Sequence, residues 1–380
     1  MPCSSSRMIW RLAPLGVILL HASQDLRSQS QSPESLFKRA VTAQERGDDA
    51  SAVNYYQELL RLRPDAIAVR VNLGVTLAHE KKFEEAIEQY RLVLANDPAN
   101  RIASLNLAVA YREAGNAAQA TIELERMHQT NPTDDEVSMM LADTYSQYGR
   151  YAEAIPVLLN LEASHPEDAD IQEALGNALV HQGHLEEGAV HLERSAQKNA
   201  NAADYIFAGQ ARFGVGQYDI AQRDADTAQR LNQNQAGLCT LKGMILQETS
   251  DYDGAESSLL KAVEQDRTDF NANLYLGGVF YFKRDLVKAK QYLSHALELE
   301  PESPQARYEF ALVERAEGDL NRAVNDLMLV VQAAPEWLQP HVELAALFYR
   351  LHDTDDGAKE RAIVDRLIAD QQRNRKAPPN

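Results

Sequence analysis

The stretch EKKFEEAIEQYRLVLANDP, residues 80–98, decides the fold. It is an amphipathic run with a small residue, Ala86, at its centre and a proline, Pro98, at its end. The same phrase returns along the chain. Ala86 has counterparts in Ala52, Ala120, Ala154, Gly188, Ala221, Ala255, Ala289, Ala323 and Ala358. The interval between them is constant, except that it is one shorter before Ala221 and one longer before Ala358. A second column of small residues runs ahead of it: Ala40, Gly74, Ala108, Ala142, Gly176, Gly209, Gly243, Gly277, Ala311 and Ala345. A third consists of Pro64, Pro98, Pro132, Pro166, Pro301 and Pro335. Three columns in one phase define an internal repeat.

Each column has a physical meaning. Within a unit, apolar residues recur twice at helical spacing, with a turn signal such as EAGN, QYGR or AEGD between the runs. That pattern predicts a helix, a tight turn and an antiparallel helix. The small residue in each helix lets the two axes approach closely where they cross, and larger neighbours such as Tyr90, Leu107, Tyr111, Tyr145 and Tyr151 fill the space around it. Proline closes the second helix because it lacks an N–H and clashes with the preceding turn. One such hairpin cannot bury its own apolar stripe, so successive hairpins must stack.

These columns resemble the tetratricopeptide repeat family, whose unit is two helices in about 34 residues. The resemblance covers residues 33–371, about ten units, and implies an all-α, right-handed superhelical solenoid of antiparallel helix pairs. The chain departs from the pattern in places. Units five to seven lack the closing proline, one residue is missing near QKNANAAD, and the tenth unit reads as carrying one extra in HDTDDGAKE. The slip at residues 197–204 is the expected weakest joint of the array. The last helix carries Ile363, Val364, Leu367 and Ile368 on one face and Lys359, Glu360, Asp365 and Arg366 on the other, a pattern suited to a terminal repeat.

Outside the repeats, Arg7 and Arg11 precede an apolar run from Leu12 to Leu20, followed by the small residues Ala22 and Ser23. Basic, apolar, small is the order of a secretory signal. The run is shorter than the roughly 20 residues that span a bilayer. Expected boundaries are therefore 1–23 signal peptide, 24–32 disordered linker, 33–371 repeats and 372–380 disordered tail. The destination is the periplasm, with an uncleaved N-terminal anchor as the alternative. The formal charge of −18 repels phosphate backbones and argues against a nucleic-acid partner. Cys3 and Cys239 are the only cysteines, so loss of the N-terminal segment leaves Cys239 without an intrachain partner.

No stretch carries convincing catalytic or metal chemistry. His181, His184, Glu187 and His191 straddle a turn at Gly183, so they do not share one helical face and read as ordinary turn and surface residues. DTDDG, residues 353–357, lacks the alternate ligand spacing of a calcium loop and reads as an acidic helix start. SLFK, residues 35–38, has the Ser-x-x-Lys spacing of penicillin-recognising enzymes without their partner motifs. No enzyme activity, metal or cofactor is expected.

The resemblance implies that the first helix of each unit lines a concave groove where extended peptides bind. Candidate lining residues are Asn72 and Asn106, matched positions in VNLG and LNLA, and in the later units Phe207, Phe213, Tyr275, Tyr281, Tyr308 and Tyr349. Phe282 belongs to the same aromatic group. Between them lies an acidic stretch with Glu136, Asp143, Asp170 and Glu173, either a solvated face or a selector for basic segments. The expected function is an exported, non-catalytic scaffold for a protein or peptide partner. The alternative is a regulatory or assembly subunit of an envelope enzyme or of a polysaccharide or secretion complex.

Overall fold

The computed structural model describes residues 32–376, and every regular element in them is helical. The expected signal peptide and residues 24–31 of the expected linker lie outside the described residues. The chain divides into two compact units at Gly183 and His184. The first unit contains α1 (Pro33–Glu45), α2 (Asp49–Leu62), α3 (Ile67–His79), α4 (Phe83–Asn96), α5 (Arg101–Glu113), α6 (Ala117–Thr130), α7 (Asp135–Gln147), α8 (Tyr151–Ser164) and α9 (Ala169–His181). The second contains α10 (Leu185–Asn199), α11 (Ala202–Gly214), α12 (Tyr218–Leu231), α13 (Leu238–Glu248), α14 (Tyr252–Gln265), α15 (Phe270–Phe282), α16 (Leu286–Leu299), α17 (Pro304–Glu317), α18 (Leu320–Ala333), α19 (Leu338–Arg350) and α20 (Thr354–Lys376).

Local signals explain where these helices begin. Asp48, Asn100, Asn116, Asp134, Asp168, Asn201, Asp251, Asp269, Asp285, Ser303 and Asp319 each precede a helix and accept a backbone N–H from its first turn. Such caps contribute about 1 kcal/mol each. The turn inside every repeat has one residue in the left-handed region. Glycine takes it at Gly47, Gly115, Gly149, Gly183, Gly216 and Gly318, and Lys81, Ser250, Arg284 and His352 take it with φ of 60–66°. The non-glycine residues accept a Cβ–carbonyl crowding cost of about 1 kcal/mol so that the second helix can reverse onto the first.

The predicted crossings are close. A Cβ built on Gly74 would lie 2.5 Å from the Tyr90 ring, and one on Gly243 would lie 2.4 Å from Leu259 Cγ. Tyr56, Tyr90, Leu124, Leu158, Leu192, Leu259, Leu293 and Leu327 form one buried column of these large partners. In the sixth repeat that place holds Ala225, and Leu241 from the following helix fills the space over Gly209 instead.

Within each unit, every helix packs on its successor. Odd-numbered helices also touch the next odd helix: α3 with α5, α7 with α9, α11 with α13, α13 with α15 and α15 with α17. Even-numbered helices do not approach one another to that extent among the described residues. The odd helices therefore occupy the tighter, inner side of each unit.

Three sequence expectations need correction or refinement. Ala358 is exposed, and Gly357 occupies the buried crossing, with the Tyr349 ring 3.0 Å from its would-be Cβ. Counted to Gly357, the interval from Ala323 is the regular one, and the tenth repeat carries no insertion. Helix α20 runs to Lys376, past the expected end of the array at residue 371. At residues 197–204 the missing residue is absorbed by Ala200, which is left-handed at φ 50°, and the Ser195 hydroxyl donates to Asp204 across the α10–α11 contact at 3.0 Å.

Candidate functional site

The inner side of the second unit carries a strip of aromatic and charged side chains. The repeat places them in two columns. Residues 207, 241, 275, 309 and 343 are one repeat apart, and read Phe207, Leu241, Tyr275, Glu309 and Glu343. Residues 213, 247, 281, 315 and 349 read Phe213, Gln247, Tyr281, Arg315 and Tyr349. Leu241 is buried, whereas Phe207, Phe213, Tyr275, Tyr281 and Tyr308 are half-buried and Tyr349 is exposed. Side chains of this kind present apolar area with polar tips at a solvent boundary.

The strip is continuous from helix to helix. Phe213 of α11 lies 5.3 Å from Tyr218 and meets Tyr275 of α15 edge-on at 5.9 Å. Tyr281 packs edge-on against Phe282, whose ring stacks on Tyr252 at 5.1 Å. Arg315 of α17 donates to the Tyr281 hydroxyl at 3.2 Å and pairs with Glu343 of α19. Tyr308 lies 4.8 Å from Trp337.

The electrostatics of the strip are unbalanced towards negative charge. Burial pushes the Glu309 carboxyl up to about 7, and the Glu248 carboxylate on α13 adds to the shift. Burial also pushes Tyr275 up to about 12, with Glu248, Tyr218 and Glu309 contributing in the same direction. Tyr308 rises to about 12 through burial, then Glu343 and Glu309, with Arg315 opposing. Arg315 is committed to Glu343 and Tyr281. The Tyr218 hydroxyl donates to Glu248 in a long bond of 3.5 Å. No cation is paired with Glu248 or Glu309 within ion-pair distance among the described residues. Gln247, beside Glu248, has its amide oxygen shut off from solvent without a donor.

Asn72 and Asn106 behave differently from expectation. They are 4% and 1% exposed, inside the packed layer of the first unit. Asn72 interacts with the Tyr56 hydroxyl, a residue of the core. Asn72 faces α2 of the preceding repeat, on the side of α3 away from the Gly74 crossing with Tyr90, so the stacking of repeats encloses it. The acidic stretch of the first unit is also partly neutralised. Glu136 pairs with Arg101 at 2.7 Å, while burial raises the Asp143 carboxyl, Arg112 opposes that shift and Asp170 adds to it.

His191 is 7% exposed, so the expectation of a surface histidine fails there. His181 stacks on Tyr151 at 4.6 Å, and burial holds its imidazole below the ordinary value. Among the described residues no three His, Cys, Asp or Glu side chains converge as metal ligands. Asp353 accepts the Asp356 N–H at 3.2 Å, as an acidic helix start should. Leu36 of SLFK is a core residue, 1% exposed.

Sequence reasoning that gathered aromatic residues missed Tyr218, Trp337, Glu248, Glu309, Arg315 and Glu343. The signal for three of these was present: Glu309 and Glu343 follow Tyr275 in its column, and Arg315 follows Tyr281.

Comparison with known proteins places these observations in context. Models of the Tetratricopeptide repeat match residues 37–101, 77–143, 111–177 and 236–269. The structure of the APC/C hetero-tetramer Cut9-Hcn1 superposes with a TM-score of 0.54 at 13% identity, covering 90% of this chain and 88% of that one. A tetratricopeptide repeat protein from Parabacteroides merdae superposes with a TM-score of 0.47 at 19% identity, over 66% of this chain and 99% of that one. Surface lipoprotein assembly modifier 1 of Neisseria meningitidis serogroup B is 32% identical over 89 residues, 23% of this chain. The match spans 18% of that protein's length. Among the described residues no helix is long and apolar enough to cross a membrane.

Proposed function

The chain belongs to the tetratricopeptide repeat family, a helical scaffold suited to protein–protein interaction, and from that premise we propose that it is an exported, non-catalytic scaffold that holds an extended segment of a partner protein along the inner side of its second unit. One observation carries this reading: the half-buried strip of Phe213 from α11, Tyr275 and Tyr281 from α15, Tyr308 from α17 and Trp337 at the start of α19. Rigid aromatic anchors in line, spaced by a constant repeat, suit a ligand that is itself extended, because each repeat then binds one short portion of it. Affinity is spread over several repeats, and no residue needs to perform chemistry.

Export rests on the order of charges and apolar residues in 7–23. A second reading, an assembly subunit of an envelope complex, is favoured by the partial match to a protein named for surface lipoprotein assembly. Photo-cross-linking in the native compartment, with a benzophenone side chain replacing Tyr308, tests both. The same partner recovered from the wild-type background and lost with the Tyr275→Ala/Tyr281→Ala double variant supports the strip. A partner set that is unchanged in a folded double variant refutes it. Fractionation that leaves unprocessed chain in the cytosol removes the export claim.

A further inference from the structure

We propose that His341 and Glu360 form a proton-dependent clamp that holds the terminal helix α20 against α19, closed while a proton lies between them and loosened when it is lost. The inference does not depend on what the inner side of the second unit binds. The clamp varies a device used in other repeats. Arg70 donates to the Pro64 carbonyl at 2.9 Å and to the Gln89 side chain at 3.0 Å. Arg307, at the matching position of its own repeat, donates to the Pro301 carbonyl at 2.7 Å and to Asp326 at 3.2 Å. Each arginine ties its helix to the closing proline before it and to the second helix after it.

In the last repeat His341 takes that position. Its Nε2 lies 3.1 Å from the Pro335 carbonyl oxygen and its Nδ1 2.6 Å from Glu360 Oε2 on α20. A guanidinium has N–H groups for both acceptors, whereas a neutral imidazole has one N–H and one lone pair. The two contacts are made together only if Nε2 carries a proton and a second proton lies between Nδ1 and the carboxylate. Whichever atom holds that second proton, the closed clamp has one more than a neutral ring beside an ionised glutamate. The ring is 4% exposed, so water does not replace a missing proton cheaply. Among the described residues the ion-pair partner of His341 is Glu360. The other charges nearby have partners of their own. On α18, Asp326 is held by Arg307, and Arg322 pairs with Asp319 at 3.1 Å. On α20, Lys359 is held by Asp356 at 2.5 Å and Arg361 by Asp365 at 3.3 Å. Arg366 lies 3.9 Å from Glu336 in the turn before α19, and Glu343 of α19 pairs with Arg315 of α17. Docking of α20 therefore takes up a proton. It is favoured in acid and loses support as pH rises through the range where imidazoles titrate, roughly pH 5 to 8.

The test is amide hydrogen exchange of the full chain at pH 5.5 and pH 8, corrected for intrinsic rates, with α14 as the internal reference. Wild-type protection of α20 should fall about ten- to a hundredfold more than that of α14 between the two values. Glu360→Gln should abolish that extra fall and keep α20 protected at both. Its amide donates to the neutral Nδ1 while Nε2–H keeps the Pro335 carbonyl, and in acid its oxygen accepts from the protonated ring. His341→Arg should do the same by restoring the arginine clamp of the other repeats; where the larger side chain disturbs packing, the glutamine variant decides alone. A wild type whose α20 protection tracks α14 across the two values overturns the clamp. So does a fall that persists in Glu360→Gln, which would mean that another group titrates, and so does a glutamine variant with α20 unprotected in acid.

Discussion

Gly277 and Gly278 are adjacent on α15 and provide a matched test of how these repeats are held together. A Cβ on Gly277 would lie 2.4 Å from Leu293 Cγ and 2.8 Å from its Cδ2. The nearest atom is in the middle of a buried leucine, so either that leucine or the α15–α16 pair must move by about 1 Å to reach ordinary van der Waals contact. Overpacking of this kind costs about 1–3 kcal/mol. A Cβ on Gly278 meets the Gln247 amide nitrogen at 3.1 Å, the end of a flexible side chain that can swing aside. Both changes to alanine gain the same helix propensity, about 1 kcal/mol. Gly278→Ala should therefore be neutral or stabilising, and Gly277→Ala should fall below it by about 1–3 kcal/mol. Repeat arrays do not unfold in one step, so the readout is amide hydrogen exchange resolved to α15 and α16 rather than a global melting point. Equal protection in the two variants, or higher protection in Gly277→Ala, would refute close helix approach as the reason for the small-residue column.

Two further outcomes follow from the second unit. Glu309 is raised from 4.5 to about 7 in the folded chain, so between those values the unfolded state is ionised and the folded state is not. Stability should fall as pH rises through that window, by up to about 3 kcal/mol from this group, and be insensitive to it below 4.5. Glu309→Gln should flatten that part of the curve; hydrogen-exchange protection of α17, corrected for intrinsic rates, that keeps the wild-type difference between pH 5 and pH 8 would contradict it. Residues 197–204 were expected to form the weakest joint, whereas Ser195 and Asp204 are hydrogen-bonded across it. Exchange rates there that match those of the neighbouring pairs would remove the joint, and Ser195→Ala should raise them if the hydroxyl is what closes it.

The repeat was legible because each column answers to one steric demand. A small residue at the crossing, a left-handed turn and a proline after the second helix leave marks in the residue types themselves. Where the structure departs, the mark was ambiguous. Gly357 and Ala358 are both small, and only the turn at His352, one repeat length after Gly318, fixes which one enters the crossing. Asn72 and Asn106 looked like surface groups because polar residues usually are, yet both are buried, and Asn72 is enclosed against Tyr56 of the preceding repeat. The aromatic part of the strip was readable from ring-bearing residue types. Its charged part was not, because Glu309 and Glu343 resemble any solvated glutamate until the column that contains Tyr275 is followed to its end.

Within each unit, the extensive helix contacts among the described residues join helices one or two places apart along the chain. Most of what completes an early hairpin therefore comes from the next one. Loop-closure cost is therefore small and paid in equal instalments, and structure can accumulate from one end while the remainder is still extended. A polypeptide threaded end-first through a narrow opening can fold at the same pace as it emerges.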